Sequence, residues 1–173
     1  MHFSGLGDSP QIKITEEIKR IASFLRGQSD RETAKNIIRW IKENLKLKRL
    51  ADLPNPAAVF RRRTADQIIR DGFATGCADA AIVFIALARA LGIPSIYCEL
   101  VVPEKGNFGH AWAKCYLDGA WVDVDPMGGT IGEDVVKKFS KFGKVYVLGK
   151  GADSWDIGIE SWEDFLRKVR ELG

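Results

Sequence analysis

The stretch that decides the fold is GCADAAIVFIALARAL, residues 76–91. It has the length of a helix, and apart from Asp79 near its start and Arg89 near its end it is apolar on every side. This pattern predicts a helix that is buried on most of its surface, rather than one that lies on a core. Gly92 supplies the left-handed residue that ends a helix, and Pro94 prevents the helix from continuing. We therefore expect this helix at the centre of the protein.

Cys77 occupies the first turn of the central helix. At that end of a helix the unpaired N–H groups and the macrodipole favour a thiolate over a thiol, which stabilises the nucleophilic form of cysteine. The alternative is a small apolar cysteine that fills the core, as most free cysteines do. The residues that lie near Cys77 decide between these two interpretations.

Composition excludes several classes of protein. The 173 residues carry a net charge of only +3, and the densest basic clusters, at 46–49 and 61–63, are typical of a solvated helix end and its following loop. Residues 1–10 lack the basic start and apolar run of a signal peptide, and no segment is long enough to span a membrane. We therefore expect a cytoplasmic protein with neither a nucleic-acid nor a membrane partner.

The cysteines indicate neither a disulfide framework nor a zinc site. The sequence contains three of them, Cys77, Cys98 and Cys115, which is an odd number without a CxxC pair. Cys98 and Cys115 alternate with apolar neighbours on predicted strands, so we expect both in the core.

Helical periodicity precedes and follows a region of strand periodicity. The predicted helices cover residues 14–26, 30–47, 64–72, 133–139 and 161–172, and the predicted strands cover 95–102, 110–117, 120–125 and 145–148. A polar loop at 149–159 contains Trp155, which either roofs a cleft or, as is more common, pins the loop to the body of the protein. Helices, then an antiparallel meander, then a mixed tail indicate the α+β class.

The turn between two predicted strands fixes their register. Asp118-Gly119 is a typical two-residue hairpin turn. Counting back equally on both sides pairs Leu117 with Ala120 and Lys114 with Asp123. A turn with an odd number of residues would shift this register.

The register brings a histidine and a carboxylate together. His110 is the one serious candidate for a base, because the other histidine, His2, lies in a terminus that we expect to fray. Continuing the count pairs Trp112 with Asp125, which makes His110 and Asp125 diagonal neighbours on one face of the sheet. Asp123 is instead paired with a lysine. Taken singly, His110 fits a structurally satisfied strand histidine, and Asp125 fits a strand-end carboxylate in an Asx turn.

Two segments together resemble the transglutaminase-like superfamily. They are GCADAAIVFIALARALGIPS, residues 76–95, and GHAWAKCYLDGAWVDVDP, residues 109–126. The shared pattern has four parts. A helix begins with Gly-Cys, and it ends with an arginine and apolar residues followed by Gly-Ile-Pro. A strand then carries His-x-Trp, and a later tryptophan is followed by Asp-Pro. The resemblance extends over about 64–126.

The resemblance implies a papain-like α+β fold, in which a buried helix that bears the cysteine packs on an antiparallel sheet that bears the histidine and aspartate. It also implies a catalytic triad of Cys77, His110 and Asp125. We expect a single transglutaminase-like domain that covers residues 1–173. Its parts are extra N-terminal helices at about 11–72, a catalytic core at about 73–126 and a C-terminal extension at 127–173.

The chemistry that the resemblance implies is attack by a thiolate on an amide or related acyl group, through a thioester that water or an amine then resolves. The expected partner is a peptide or protein amide, and no cofactor or metal is expected. Papain-like enzymes place a glutamine a few residues before the cysteine, whereas this chain has Asp71 there, which cannot donate when ionised. The N–H of Cys77 supplies one donor for the oxyanion, and the second is unassigned.

Two other functions compete with a cysteine-dependent amide hydrolase. The first is a non-catalytic peptide-binding module that retains the fold, which the missing glutamine favours slightly. The second is a metal site built from Cys77, His110, Asp123 and Asp125. Those ligands have no compact spacing, and Asp123 is better explained by its lysine partner.

Overall fold

A computed structural model describes residues 4–173 as an antiparallel sheet with helices on both faces. His2 lies outside the described residues. The helices are α1 (Glu16–Ser23), α2 (Asp30–Asn44), α3 (Ala65–Asp71), α4 (Cys77–Ala90), α5 (Val135–Ser140) and α6 (Trp162–Arg170). The strands are β1 (Lys46–Leu47), β2 (Phe73–Ala74), β3 (Ser95–Val102), β4 (Phe108–Leu117), β5 (Ala120–Asp125), β6 (Thr130–Ile131) and β7 (Tyr146–Gly151). The predicted α+β class is confirmed.

The central helix is α4, as its composition predicts. It contacts α1, α2 and α3 on one side and β3 and β4 on the other, and nearly all of its residues are buried. The two charged residues within it are buried with partners: Asp79 accepts a hydrogen bond from Arg63, and Arg89 donates to the carbonyl oxygen of Ser95. Gly92, with φ at +78°, follows the end of the helix, so the predicted left-handed stop is confirmed.

The main sheet has five antiparallel strands in the order β6-β5-β4-β3-β7. In the β4–β5 hairpin Leu117 pairs with Ala120 and Lys114 with Asp123, which confirms the predicted register. The turn residues at 118–119 both have positive φ, as a type I′ turn requires.

The ladder between β4 and β5 is shorter than predicted. Its last pair is Ala113 with Val124, and Asp125 pairs with Thr130 of β6 instead of with Trp112. The strand therefore diverges from β4 one residue before Pro126, which has no N–H group to donate to a ladder. This divergence leaves an opening beside β4.

Both faces of the sheet are covered. Small side chains of β4, among them Ala111 and Cys115, share the main core with α4. On the opposite face Cys98 and Trp112 pack with Phe139 of α5. Cys98 and Cys115 have no exposed surface, so the prediction that they are core residues is confirmed.

Several boundaries differ from the prediction because long-range pairing overrides local periodicity. The second helix ends at Asn44 rather than at 47, since Lys46–Leu47 forms a parallel pair with Phe73–Ala74. The first helix ends at Ser23, three residues before its predicted end, with Phe24 as its C-cap. The last strand continues to Gly151, three residues into the predicted polar loop, because it pairs with β3. Within the described part of the chain, none of the helices has the length and apolar character needed to cross a membrane.

Candidate active site

Cys77 is the first residue of α4 and is partly exposed. A carboxylate one turn into the helix fixes the chain where it enters: Asp79 Oδ2 accepts hydrogen bonds from the N–H and the hydroxyl of Thr75, at 2.8 and 2.9 Å. Arg63 donates to the same oxygen at 2.7 Å. The first N–H groups of a helix have no partner within the helix, so the Cys77 side chain lies at a positively polarised end.

The thiol lies in the opening where β5 leaves β4. In an antiparallel ladder, hydrogen-bonded pairs alternate with non-bonded pairs, and Ala111 would be the next bonded position after Ala113. Since β5 has diverged there, the N–H of Ala111 donates to Cys77 Sγ at 3.4 Å. The divergence of one strand thus gives the sulfur atom access to the edge of β4, next to His110.

His110 and Asp125 are hydrogen-bonded to one another on the face that carries α5. The Nε2 atom of His110 lies 2.8 Å from Oδ2 of Asp125, and the two residues are 9% and 2% exposed. The imidazole stacks on Phe139, with 4.5 Å between ring centroids and 20° between the planes. The hydrogen bond to the carboxylate therefore holds the imidazole within its own plane, and the stack on Phe139 holds it against movement perpendicular to that plane.

A turn after β5 holds the carboxylate. The N–H of Gly128 donates to Asp125 Oδ1 at 3.0 Å, and the N–H of Gly129 donates to the Asp125 carbonyl oxygen at 2.7 Å. A Cβ atom at position 128 would lie 2.7 Å from Asp125 Oδ2, so this position admits only glycine without movement of the carboxylate. Our sequence interpretation missed Gly128, although the Asx turn considered for Asp125 points to a backbone donor at this position.

The contacts of the imidazole and the carboxylate change the acidity of both groups. Burial by itself disfavours the imidazolium, but hydrogen bonds to Asp125 and Cys77 and their negative charges raise the pKa of His110 to about 9. Burial opposes ionisation of Asp125 as well, yet the hydrogen bond and charge of His110 lower the pKa of Asp125 below its ordinary value. At neutral pH the pair is an imidazolium and a carboxylate.

The other two cysteines differ from Cys77. Burial raises the pKa of Cys98 to about 12 and that of Cys115 to about 12, so both are neutral thiols in the physiological range. Their burial also removes them from contact with reagents. The cysteine at the helix start is therefore the chemically accessible one among the three.

A buried ion pair lies on the other side of Cys77. Arg61 donates to both carboxylate oxygens of Glu99, each at 2.7 Å, and Glu99 also accepts from the hydroxyl of Tyr97 at 2.9 Å. Arg61 and Glu99 are 7% and 1% exposed. Burial disfavours the charge on Arg61, but Glu99 and the nearby groups, Cys77 among them, raise the pKa of Arg61. The charges of Arg61 and Glu99 therefore neutralise one another, and the pair is a fixed part of the site.

A cavity of about 180 Å³ opens in front of the thiol. Cys77, Gly109, Phe60 and Trp162 are among the residues that line it. Trp155, which the sequence offers as either a roof or a pin, donates its indole N–H to the carbonyl oxygen of Arg61 at 2.5 Å and so ties the 149–159 loop to the body.

Two acidic residues considered in the sequence have partners outside the proposed triad. Asp71 is bonded to Arg63 at 3.1 Å. Asp123 accepts from the N–H of Val135 at 2.9 Å and lies 3.6 Å from Lys114 Nζ. In the part of the chain covering residues 4–173, no three His, Cys, Asp or Glu side chains are arranged to hold a metal ion.

Comparison with known proteins agrees with this architecture. Residues 16–126, more than half of the chain, match the sequence profile of the transglutaminase-like superfamily. No curated protein matches the chain.

Two solved structures are similar in fold. A candidate cysteine protease from Cytophaga hutchinsonii is 19% identical, with a TM-score of 0.63 over 90% of this chain and 48% of its own. A candidate protease from Parabacteroides distasonis is also 19% identical, with a TM-score of 0.53 over 84% of this chain and 27% of its own. The present chain thus spans about half or less of the length of these two proteins.

Proposed function

Because this chain belongs to the transglutaminase-like superfamily, we propose that it is a cysteine-dependent amide hydrolase that uses Cys77, His110 and Asp125 as a catalytic triad. The observation that carries the proposal is the hydrogen-bonded His110–Asp125 pair beside a cysteine at a helix N-terminus. A nucleophile, a base within reach of it and a third group that orients the base are the parts that covalent acyl catalysis requires.

In the first half of the reaction the thiolate of Cys77 attacks the carbonyl carbon of a peptide or protein amide. The carbonyl oxygen becomes an oxyanion, which the N–H of Cys77 at the helix start stabilises. As the C–N bond breaks, the imidazolium of His110 gives its proton to the leaving nitrogen. The products are a free amine and a thioester on Cys77.

In the second half His110, now neutral, removes a proton from water while the water oxygen attacks the thioester carbonyl. The C–S bond breaks, the acid is released, and the thiolate and imidazolium are restored. An amine that enters in place of water gives acyl transfer by the same steps. Asp125 keeps the histidine in one orientation and stabilises its charged form throughout.

Trapping of the acyl-enzyme tests this proposal. The protein is mixed with p-nitrophenyl acetate and quenched in acid, and its peptides are examined by mass spectrometry. We expect an acetyl group on Cys77 and its loss from the Cys77→Ser variant. Acetylation spread over surface lysines, with Cys77 unmodified, would overturn the proposal and favour the non-catalytic peptide-binding module.

A further inference from the structure

The cavity in front of Cys77 lies on one particular side of the thiol. Its lining includes Cys77 and Gly109 but neither His110 nor Asp125. By the alternation of β4, Gly109 lies on the sheet face that carries α4, whereas His110 lies on the opposite face, where it stacks on Phe139 of α5. In the proposed reaction the leaving amine has to face His110, which protonates it. The acyl part of the substrate must then extend the other way, into the cavity.

One wall of the cavity is apolar and largely aromatic. Phe60 meets Trp162 edge to face at 5.3 Å between ring centroids, and Trp162 stacks on Phe165 at 5.3 Å. Leu50 also lines this wall. Phe165 is buried and its ring approaches Gly109 so closely that a Cβ there would lie 3.2 Å away. These contacts preform the aromatic wall before any ligand binds.

The charged side chains at the base of the cavity are all engaged. Arg61 and Glu99 satisfy one another through two hydrogen bonds, and Asp79 is held by Arg63 and Thr75. A charged side chain that entered would lose its hydration without gaining a free partner. An uncharged apolar side chain would lose nothing and would be covered by aromatic carbon.

The space available suits one large side chain. An apolar cavity of about 150 Å³ is sufficient to take up benzene, and this cavity measures about 180 Å³. It continues past Phe60 and Trp162 into a wider apolar groove whose other side carries Pro54 and Pro56. A longer apolar chain can therefore extend beyond the first ring.

We propose that this cavity is the acyl-side subsite, and that it selects acyl donors whose carbonyl-bearing residue has a bulky, uncharged apolar side chain. The inference rests on the proposed function, because it assumes that Cys77 attacks the carbonyl. It adds the substrate class: peptide amides with an aromatic or large aliphatic residue on the acyl side of the scissile bond.

The test compares chloromethyl ketones of N-acetylated phenylalanine, glycine and aspartate, in which the Cys77 sulfur displaces chloride and forms a C–S bond. Iodoacetamide, which carries no side chain, serves as the reference reagent. We expect the phenylalanine reagent to alkylate Cys77 about tenfold faster than the glycine or aspartate reagent, as burial of an aromatic side chain in a partly open site predicts.

A matched pair of variants places the preference in the cavity. Trp162 and Trp121 are exposed to a similar extent, 48% and 45%, but Trp121 packs on Tyr116 in the β4–β5 hairpin. Trp162→Ala should lower the ratio of the phenylalanine rate to the glycine rate severalfold, and Trp121→Ala should leave that ratio unchanged.

The outcomes separate the two proposals. Rapid alkylation of Cys77 by iodoacetamide with equal rates for the three ketones, or with a preference for aspartate, would overturn the subsite and leave the proposed function standing. Failure of iodoacetamide to select Cys77 over the other cysteines would overturn the proposed function and the subsite with it.

Discussion

The Nε2 atom of His110 lies 2.8 Å from Oδ2 of Asp125, and both side chains are buried. A buried ion pair is a costly arrangement, because both charges give up hydration that their attraction repays only in good geometry. Here the geometry is fixed by Gly128, which holds the second carboxylate oxygen, and by Phe139, which stacks on the imidazole. The pair keeps a proton on His110 at a pH where an exposed histidine would have lost it.

The first prediction concerns the titration of His110. The chain has two histidines, so a His2→Ser variant leaves one imidazole whose ring protons can be followed by NMR. The midpoint should lie near pH 9, since the pKa of His110 is about 9. When Asp125→Asn is added to that variant, the carboxylate no longer offsets the effect of burial, which lowers the pKa of His110. The midpoint of the titration should then fall toward or below about 6.5. A midpoint that Asp125→Asn leaves in place would show that Asp125 does not set it.

The second prediction concerns stability against pH. Because the pKa of His110 is higher in the folded protein, about 9 against an ordinary 6.5, the folded state binds its proton more tightly. The resulting stability is fully present below about pH 6.5 and is lost as pH rises through about 9, with an upper limit of about 3 kcal/mol. Urea denaturation at pH 6 and pH 9.5 measures the loss.

The matched control for that measurement is His110→Gln, which removes the titrating group at the same site. The free energy of unfolding of His110→Gln should change less between the two pH values than that of the parent. Equal changes in the two proteins would assign the pH dependence to other groups.

The third prediction concerns Gly128. A methyl group in the variant Gly128→Ala would lie 2.7 Å from Asp125 Oδ2 and should push the carboxylate away from His110. Position 128 is not among the glycines with positive φ, so alanine fits the backbone and the protein should stay folded. The rate of Cys77 alkylation at pH 6 should fall about tenfold, as the loss of a charge-assisted hydrogen bond predicts.

A double variant shows whether Gly128 acts through the carboxylate. In an Asp125→Asn background the same substitution should have little further effect, since the interaction has already been weakened. Independent, multiplying effects of the two changes would contradict this role.

The fourth prediction concerns the buried pair of Arg61 and Glu99. Glu99→Ala leaves Arg61 charged, buried and without its carboxylate, which should cost about 3–5 kcal/mol of folding free energy. Thermal unfolding measures the change. The exposed pair of Arg49 and Asp52, 2.9 Å apart, is the control: Asp52→Ala should be close to neutral. Similar effects of the two substitutions would contradict the structural role of the buried pair.

The sequence predicts the parts of the site that depend on local rules. The cysteine at a helix start follows from hydrophobic pattern, and the placement of Asp125 rather than Asp123 beside His110 follows from a two-residue turn and the alternation of a strand. The structure confirms that placement. The catalytic role of the three residues stays a prediction.

Other parts of the site depend on contacts between distant segments, which local patterns do not specify. Phe139 reaches His110 from a helix that follows the sheet, and Arg61 meets Glu99 across 38 positions of sequence. The divergence of β5 after Val124 depends likewise on its pairing with β6. For the same reason the early end of α2 could not be predicted, because it is set by a strand pair with residues 73–74.

The measurement that tests the central claim most directly is the alkylation of the three cysteines by iodoacetamide at about pH 6, followed at each residue by mass spectrometry. We predict that Cys77 reacts at least about tenfold faster than Cys98 or Cys115, since Cys77 is partly exposed at a helix start beside His110 while the other two are buried thiols with raised pKa values. His110→Ala should slow the alkylation of Cys77 at pH 6 about tenfold or more, although Cys77 stays more accessible than the two buried cysteines. Reaction of all three cysteines only above about pH 8, in the range of ordinary free thiols, would contradict the account.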